Sequence, residues 1–145
     1  AVLRSTPAVL DGFFRQFPHV HWNQPNSQEK ISPVEIFCHL RDVDREVNIS
    51  RVHDILTTDH PFIAGVDTDR WASTRNYSQE EPSLALQGML EARVNLISQL
   101  ETLPADAWLR PGTHSIFGKT TLTEMVSLIA DHDKTHIAQL FRMIQ

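Results

Sequence analysis

Hydrophobic residues fall at helical intervals in four separate stretches of this chain. The first carries Val9, Leu10, Phe13, Phe14 and Phe17, and Pro18 closes it. Thr6-Pro7, an N-cap residue followed by a proline suited to a first turn, predicts its start. The second stretch places Ile36, Leu40, Val43 and Val47 at steps of four, three and four. It opens on Ser32-Pro33-Val34-Glu35, a capping box with proline at the first helical position, and is predicted to run to Leu56. A third helix is predicted to begin within Ser78–Ser83, where Ser78 and Glu81 suggest another box. Leu86, Leu90, Val94, Ile97 and Leu100 carry it to Leu103, before Pro104. The fourth opens on the box Thr121 to Glu124 and continues to Met143. No stretch shows the period-two alternation of a strand, so the predicted class is all-α.

The three connections run to roughly 15, 20 and 17 residues, longer than the short links that force neighbouring helices antiparallel. Residues 1–145 are therefore expected to form one domain, a four-helix bundle without simple up-down-up-down order. The links are rich in aromatic residues and histidine, among them Trp22, Trp71, Trp108, His114 and Phe117. They are expected to pack over the bundle end.

Composition narrows the function. The 145 residues are 41% hydrophobic and 21% charged, enough for a core and too apolar for a disordered chain. Thirteen basic against eighteen acidic residues give a net charge of −5, which argues against a nucleic-acid partner. Cys38 is the single cysteine and cannot close an internal disulfide. No apolar run approaches the ~20 residues of a membrane helix, and the opening Ala-Val-Leu-Arg-Ser-Thr-Pro does not read as a signal peptide. The expectation is a soluble cytoplasmic protein with a small-molecule substrate and no membrane partner.

Eight histidines are present, and their placement is the main clue. In the last helix Met125, Ile129, His132, His136, Leu140 and Met143 form one stripe at steps of three and four, so both histidines continue the core face. Imidazoles at i and i+4 can reach one ion, and burial favours the neutral form that a transition metal requires. The same pair also suits a core in which each ring bonds a carbonyl. In the second helix His39 borders the apolar stripe, within a polar row of Glu35, His39, Asp42 and Glu46. There it is either a third ligand or a solvated residue of a charged face. Three histidines would leave a position open for water or substrate, as in catalytic zinc sites. His53 lies about 21 Å further along the helix axis and cannot share that ion. His19, His21 and His60 fall in loops, and His114 is placed to fold over the mouth of the site.

Other chemistries fit less well. Aspartate follows His132, where a zincin has the longer glutamate. No acid lies downstream of Asp133 for a His/Asp phosphohydrolase, and no paired Glu-x-x-His exists for a di-iron bundle. Cys38 is turned about 100° from His39 around the helix. Gly-rich phosphate loops and Gly-x-Ser-x-Gly are absent.

Four ordered segments carry a family likeness: Ser32-Pro33-Val34-Glu35-Ile36-Phe37-Cys38-His39-Leu40-Arg41-Asp42; Arg93 with the Leu96–Leu100 run; Trp108 with Gly118-Lys119-Thr120-Thr121-Leu122-Thr123-Glu124-Met125; and Ala130-Asp131-His132-Asp133-Lys134-Thr135-His136-Ile137-Ala138-Gln139-Leu140. Together they resemble the DinB-like superfamily of metal-binding four-helix bundles, related to bacillithiol- and mycothiol-dependent transferases. The resemblance implies an up-down-down-up bundle in which His39, His132 and His136 bind zinc or nickel, and a homodimer. It also implies one of three activities: small-thiol transfer to an electrophile, isomerisation with a thiol cofactor, or metal-dependent hydrolysis.

The leading expectation is a metal-dependent enzyme of the small-thiol S-transferase type. A metal-dependent hydrolase, or a non-catalytic stress-related dimeric binding module, is the alternative. Asp42, Asp133, Arg93 and His114 are the candidate catalytic or supporting residues. Asp42 or Asp133 is expected to hold a ligand imidazole's second nitrogen. Arg93 is expected to be either an anion anchor or half of a surface salt bridge.

Overall fold

Two of the three predicted capping boxes are present, and each starts a bundle helix. In the computed structural model, which describes all 145 residues, the Ser32 backbone N–H donates to Glu35 Oε2 at 2.5 Å and opens α2 (Pro33–Val43). The Thr121 hydroxyl accepts from the Glu124 N–H at 3.2 Å and opens α6 (Leu122–Ile144). Between α2 and α3 (Ile49–Thr57) the helix does not stop but passes through a π-helical stretch, Asp44–Asn48. A π turn carries an extra residue and re-phases the side chains beyond it. The Asp44 carboxylate reaches the bundle axis, while Val43, Val47 and Asn48 line a cavity. The bundle is completed by α1 (Val2–Gln16) and α5 (Pro82–Leu100), and a single turn, α4 (Trp71–Thr74), lies in the long connection.

α1 begins earlier than Thr6-Pro7 predicts. It starts at Val2 and carries Pro7 inside it. Proline has no N–H for the carbonyl four residues back, and here that carbonyl, Leu3 O, accepts from Arg93 at 3.1 Å. Thr6 does not cap the helix: its buried hydroxyl donates to Asp133 Oδ2 at 2.7 Å.

α5 opens inside its predicted Ser78–Ser83 window but with a different cap. It starts at Pro82, capped by Glu81, whose side chain accepts from the Ser83 and Leu84 N–H groups; the Ser78–Glu81 box does not form. Its buried face runs through Met89, Arg93 and Leu96, and Val94 is 64% exposed. Leu86 and Leu100 of the predicted stripe are buried, but a guanidinium occupies the centre of the buried face, so at mid-helix hydrophobicity points to Val94 instead.

The register of contacts sets the helix directions. α2 and α5 run parallel: Arg41 passes Gly88 near their starts, and the Asp44–Arg93 pair lies further on. α1 and α6 also run parallel, with Thr6 on Asp133 and Phe13 on Phe141. The two pairs are antiparallel to each other, with His39 of α2 against His132 and His136 of α6. This is an up-down-down-up bundle in which α2 and α1 each pack on both α5 and α6. Helices consecutive in the chain, α1 with α2 and α5 with α6, sit diagonally.

A small sheet accompanies the helices. β1 (Phe62–Ile63) pairs parallel with β2 (Pro111–His114), which pairs antiparallel with β3 (Gly118–Thr121). Strands of two to four residues are too short to display alternation. Gly118, at φ +71°, turns the hairpin in a backbone conformation that other residues resist.

The core divides in two. One part gathers Leu10, Trp22, Phe37, Tyr77, Met89 and Leu140; the other gathers Leu3, Ile55, Leu96, Leu122, Met125 and Ile129. Along each helix a buried polar residue separates them: Thr6, Asp44, Arg93 and Asp133. No helix is long and apolar enough to cross a membrane.

Candidate metal centre

His39 projects from α2, and His132 and His136 from successive turns of α6. One ring nitrogen from each lies within 4.8 Å of the other two. The Nε2 atoms of His39 and His132 are 3.1 Å apart, and the three ring centroids are separated by 4.6 to 5.1 Å. A single proton lets one nitrogen of that pair donate to the other but leaves the third ring out, whereas a cation can accept from all three.

The electrostatics favour neutral rings. Burial, then the charges of its two neighbours, pushes His39 down to about 4. Burial and His136 bring His132 to about 4 as well. His136 is also depressed by burial, opposed by its hydrogen bond to Gln139. Its Nδ1 lies 2.9 Å from Gln139 Oε1, which can only accept, so the proton sits on Nδ1 and Nε2 is left free. Glu29 in turn accepts from Gln139 Nε2 at 3.2 Å and from Arg142. Three neutral, half-buried nitrogen donors meeting at one point are a donor set suited to a divalent transition metal.

Two cavities flank the cluster. One, about 260 Å³, reaches His132 between Val47 and Ile129. The other, about 180 Å³, is lined by His39, His136, Glu35 and Asp69. Thr68 borders both.

A profile of the DinB superfamily matches residues 3–140. The chain belongs to the DinB superfamily. No curated protein matches this DinB superfamily member. Among solved structures it is similar to YfiT from Bacillus subtilis, a probable metal-dependent hydrolase with an unusual four-helix bundle topology. The two share 22% identity at a TM-score of 0.83, over 98% of this chain and 81% of that one. At this identity the likeness concerns the fold.

The supporting residues of this DinB superfamily chain lie elsewhere than expected. Neither aspartate touches a ligand imidazole. Asp42 accepts from Tyr77 at 2.5 Å, Arg41 at 2.8 Å and Arg75 at 3.1 Å. Burial opposes its ionisation, but these donors outweigh that and hold its carboxyl below the usual range. Asp133 turns away from the histidines onto Thr6 and Arg93. Arg93 is neither an anion anchor nor a surface pair: it is 1% exposed and bonded to Asp44, Asp133 and the Leu3 carbonyl. Burial would lower it, but the two carboxylates outweigh that and hold it above its ordinary value.

His114 ends β2 and lines the cavity that reaches His132. His53 and His60 are exposed, and Cys38 donates to Glu80 Oε2 at 3.2 Å, away from the cluster. Gln139 is the residue that sequence reasoning missed. Its position three residues after His136, on the same helical face, was the available signal.

Proposed function

We propose that this protein is a metal-dependent enzyme in which His39, His132 and His136 hold zinc or nickel, and that it transfers a small thiol to an electrophile. The observation that carries the metal reading is the convergence of three ring nitrogens within 4.8 Å. A divalent ion there would supply Lewis acidity, lowering the pKa of whatever binds at its open position. Gln139 would keep His136 in the tautomer that presents Nε2.

Two cavities meeting at the cluster support a two-substrate reaction, one for the thiol's organic part and one for the electrophile. In the transfer, the thiol sulfur bonds to an electrophilic carbon, whose leaving group departs with its electron pair. The thiol proton passes to a carboxylate. Glu35 and Asp69 line the smaller cavity, and Glu35 keeps Oε1 for this purpose while Oε2 holds Ser32.

The same two acids and the likeness to YfiT favour hydrolysis as a second reading, with water as the nucleophile. The test is metal analysis of the purified protein and of His132→Ala, followed by assays with and without chelator. A thiol-reactive electrophile is offered with several low-molecular-weight thiols, alongside an ester and amide panel. Stoichiometric zinc or nickel, lost in His132→Ala, with chelator-sensitive conjugation is the expected result. Chelator-sensitive ester or amide cleavage without conjugation selects hydrolysis. A protein that takes up no transition metal at neutral pH overturns both readings.

A further inference from the structure

The larger cavity beside His132 is polarised. None of its lining residues is acidic, in contrast to the Glu35 and Asp69 side of the cluster. Val43, Val47, Met125 and Ile129 give it an apolar wall, and two nitrogen donors stand in it without an anionic partner. The first is Arg51 of α3, one of the few arginines here that meets no carboxylate. Its guanidinium donates only to the Ala64 carbonyl, at 2.8 Å.

The second donor is His114, only 8% exposed. Its Nδ1 accepts from the backbone N–H groups of Ile116 at 3.0 Å and Phe117 at 3.3 Å, across the turn into β3. The ring proton must therefore sit on Nε2, which has no acceptor in the protein. An anionic acceptor bound in the cavity would give this N–H a charge-assisted hydrogen bond, stronger than one to a neutral group.

We propose that Arg51 and His114 form a carboxylate subsite, so that the substrate occupying this cavity has an apolar body with a carboxylate end. The inference rests on the enzyme reading above and specifies its substrate class. Arg51 follows His39 by twelve residues of one continuous helix, about 18 Å of rise, with Val43 and Val47 between them. The apolar wall thus lies between the reacting end and the anion-holding end. Burial lowers Arg51, and burial with the charge of Arg51 lowers His114, as expected of donors awaiting an anion. The carboxylate could belong to the thiol or to the electrophile, and the two are separated by the choice of probe.

The test uses chelator-treated full-length protein, so that it needs neither metal nor turnover. Hexanoate, hexan-1-ol, 3-mercaptopropionate and 2-mercaptoethanol are titrated in an NMR experiment that reads the Arg51 Nε–H and His114 ring resonances. At least one carboxylate is expected to bind about tenfold or more tightly than its uncharged counterpart, as a charge-assisted bond would give. Added salt should weaken that preference. Arg51→Met should abolish it while leaving hexan-1-ol binding unchanged, and Arg51→Lys should retain part of it. Dependence of hexanoate on Arg51 assigns the carboxylate to the electrophile; dependence of 3-mercaptopropionate assigns it to the thiol. Equal binding of charged and uncharged probes by the wild type overturns the proposal, and so does a carboxylate preference that survives in Arg51→Met. If Arg51→Met does not fold, the wild-type preference, its salt dependence and Arg51→Lys decide. A failure of metal binding or turnover would leave this readout intact, so the two readings fail separately.

Discussion

Gln139 stands one turn beyond His136 on α6, and its amide oxygen lies 2.9 Å from His136 Nδ1. The contact fixes one tautomer of one ligand and leaves the other two imidazoles without such a support. Gln139→Leu should keep the fold and lower metal affinity by about 10- to 100-fold, the usual cost of removing a ligand's hydrogen-bond partner. Competition against a chromogenic chelator measures it. Wild-type affinity in Gln139→Leu would show that the contact does not position His136.

Protonation should act on the metal-free protein with a definite sign. His39 and His132 titrate near 4 when folded, against an ordinary value of 6.5. Between those values the unfolded chain binds protons that the folded chain refuses. Stability is therefore full above pH 6.5 and falls as pH drops towards 4. Urea midpoints of chelated protein across this window should decline steadily, and His132→Gln should flatten the decline. An unchanged slope in that variant would remove the histidines as its cause.

Arg93 is the only cation bonded to two buried carboxylates, Asp44 and Asp133. Removing it leaves both charges without compensation inside the bundle. Arg93→Met is expected to cost about 3–5 kcal/mol in urea unfolding, the range for breaking a buried pair. Adding Asp44→Asn and Asp133→Asn to Arg93→Met should recover part of that loss. A cost below 1 kcal/mol, the level of a surface pair, would contradict the buried network.

The features legible in the sequence were those whose causes lie close together in the chain. The boxes at Ser32 and Thr121 join residues three apart, and both formed. His132 and His136 announced themselves by continuing an apolar stripe. The unread features depend on distant partners. Thr6-Pro7 has the local form of a helix start, but Thr6 answers to Asp133, 127 residues away, and Pro7 frees the Leu3 carbonyl for Arg93. Arg93 sits where α5 should show a hydrophobe because Asp44 and Asp133 lie 49 and 40 residues from it. That charge takes the central core position, one residue away from the predicted Val94, while Leu86 and Leu100 at the two ends are buried as expected. The three strands fell below the length at which a pattern exists.

The diagonal placement of consecutive helices bears on how the bundle is reached from the unfolded chain. Neither α1 with α2 nor α5 with α6 can close as a local hairpin and wait for the rest. Every extensive helix pairing spans a long stretch of chain, which makes for slow, all-or-none assembly. A nick in the segment joining α3 to α5 would therefore yield two fragments, each holding only diagonal helices and half of every pairing. Mixed together they should gain structure cooperatively, and alone neither should hold a tertiary fold.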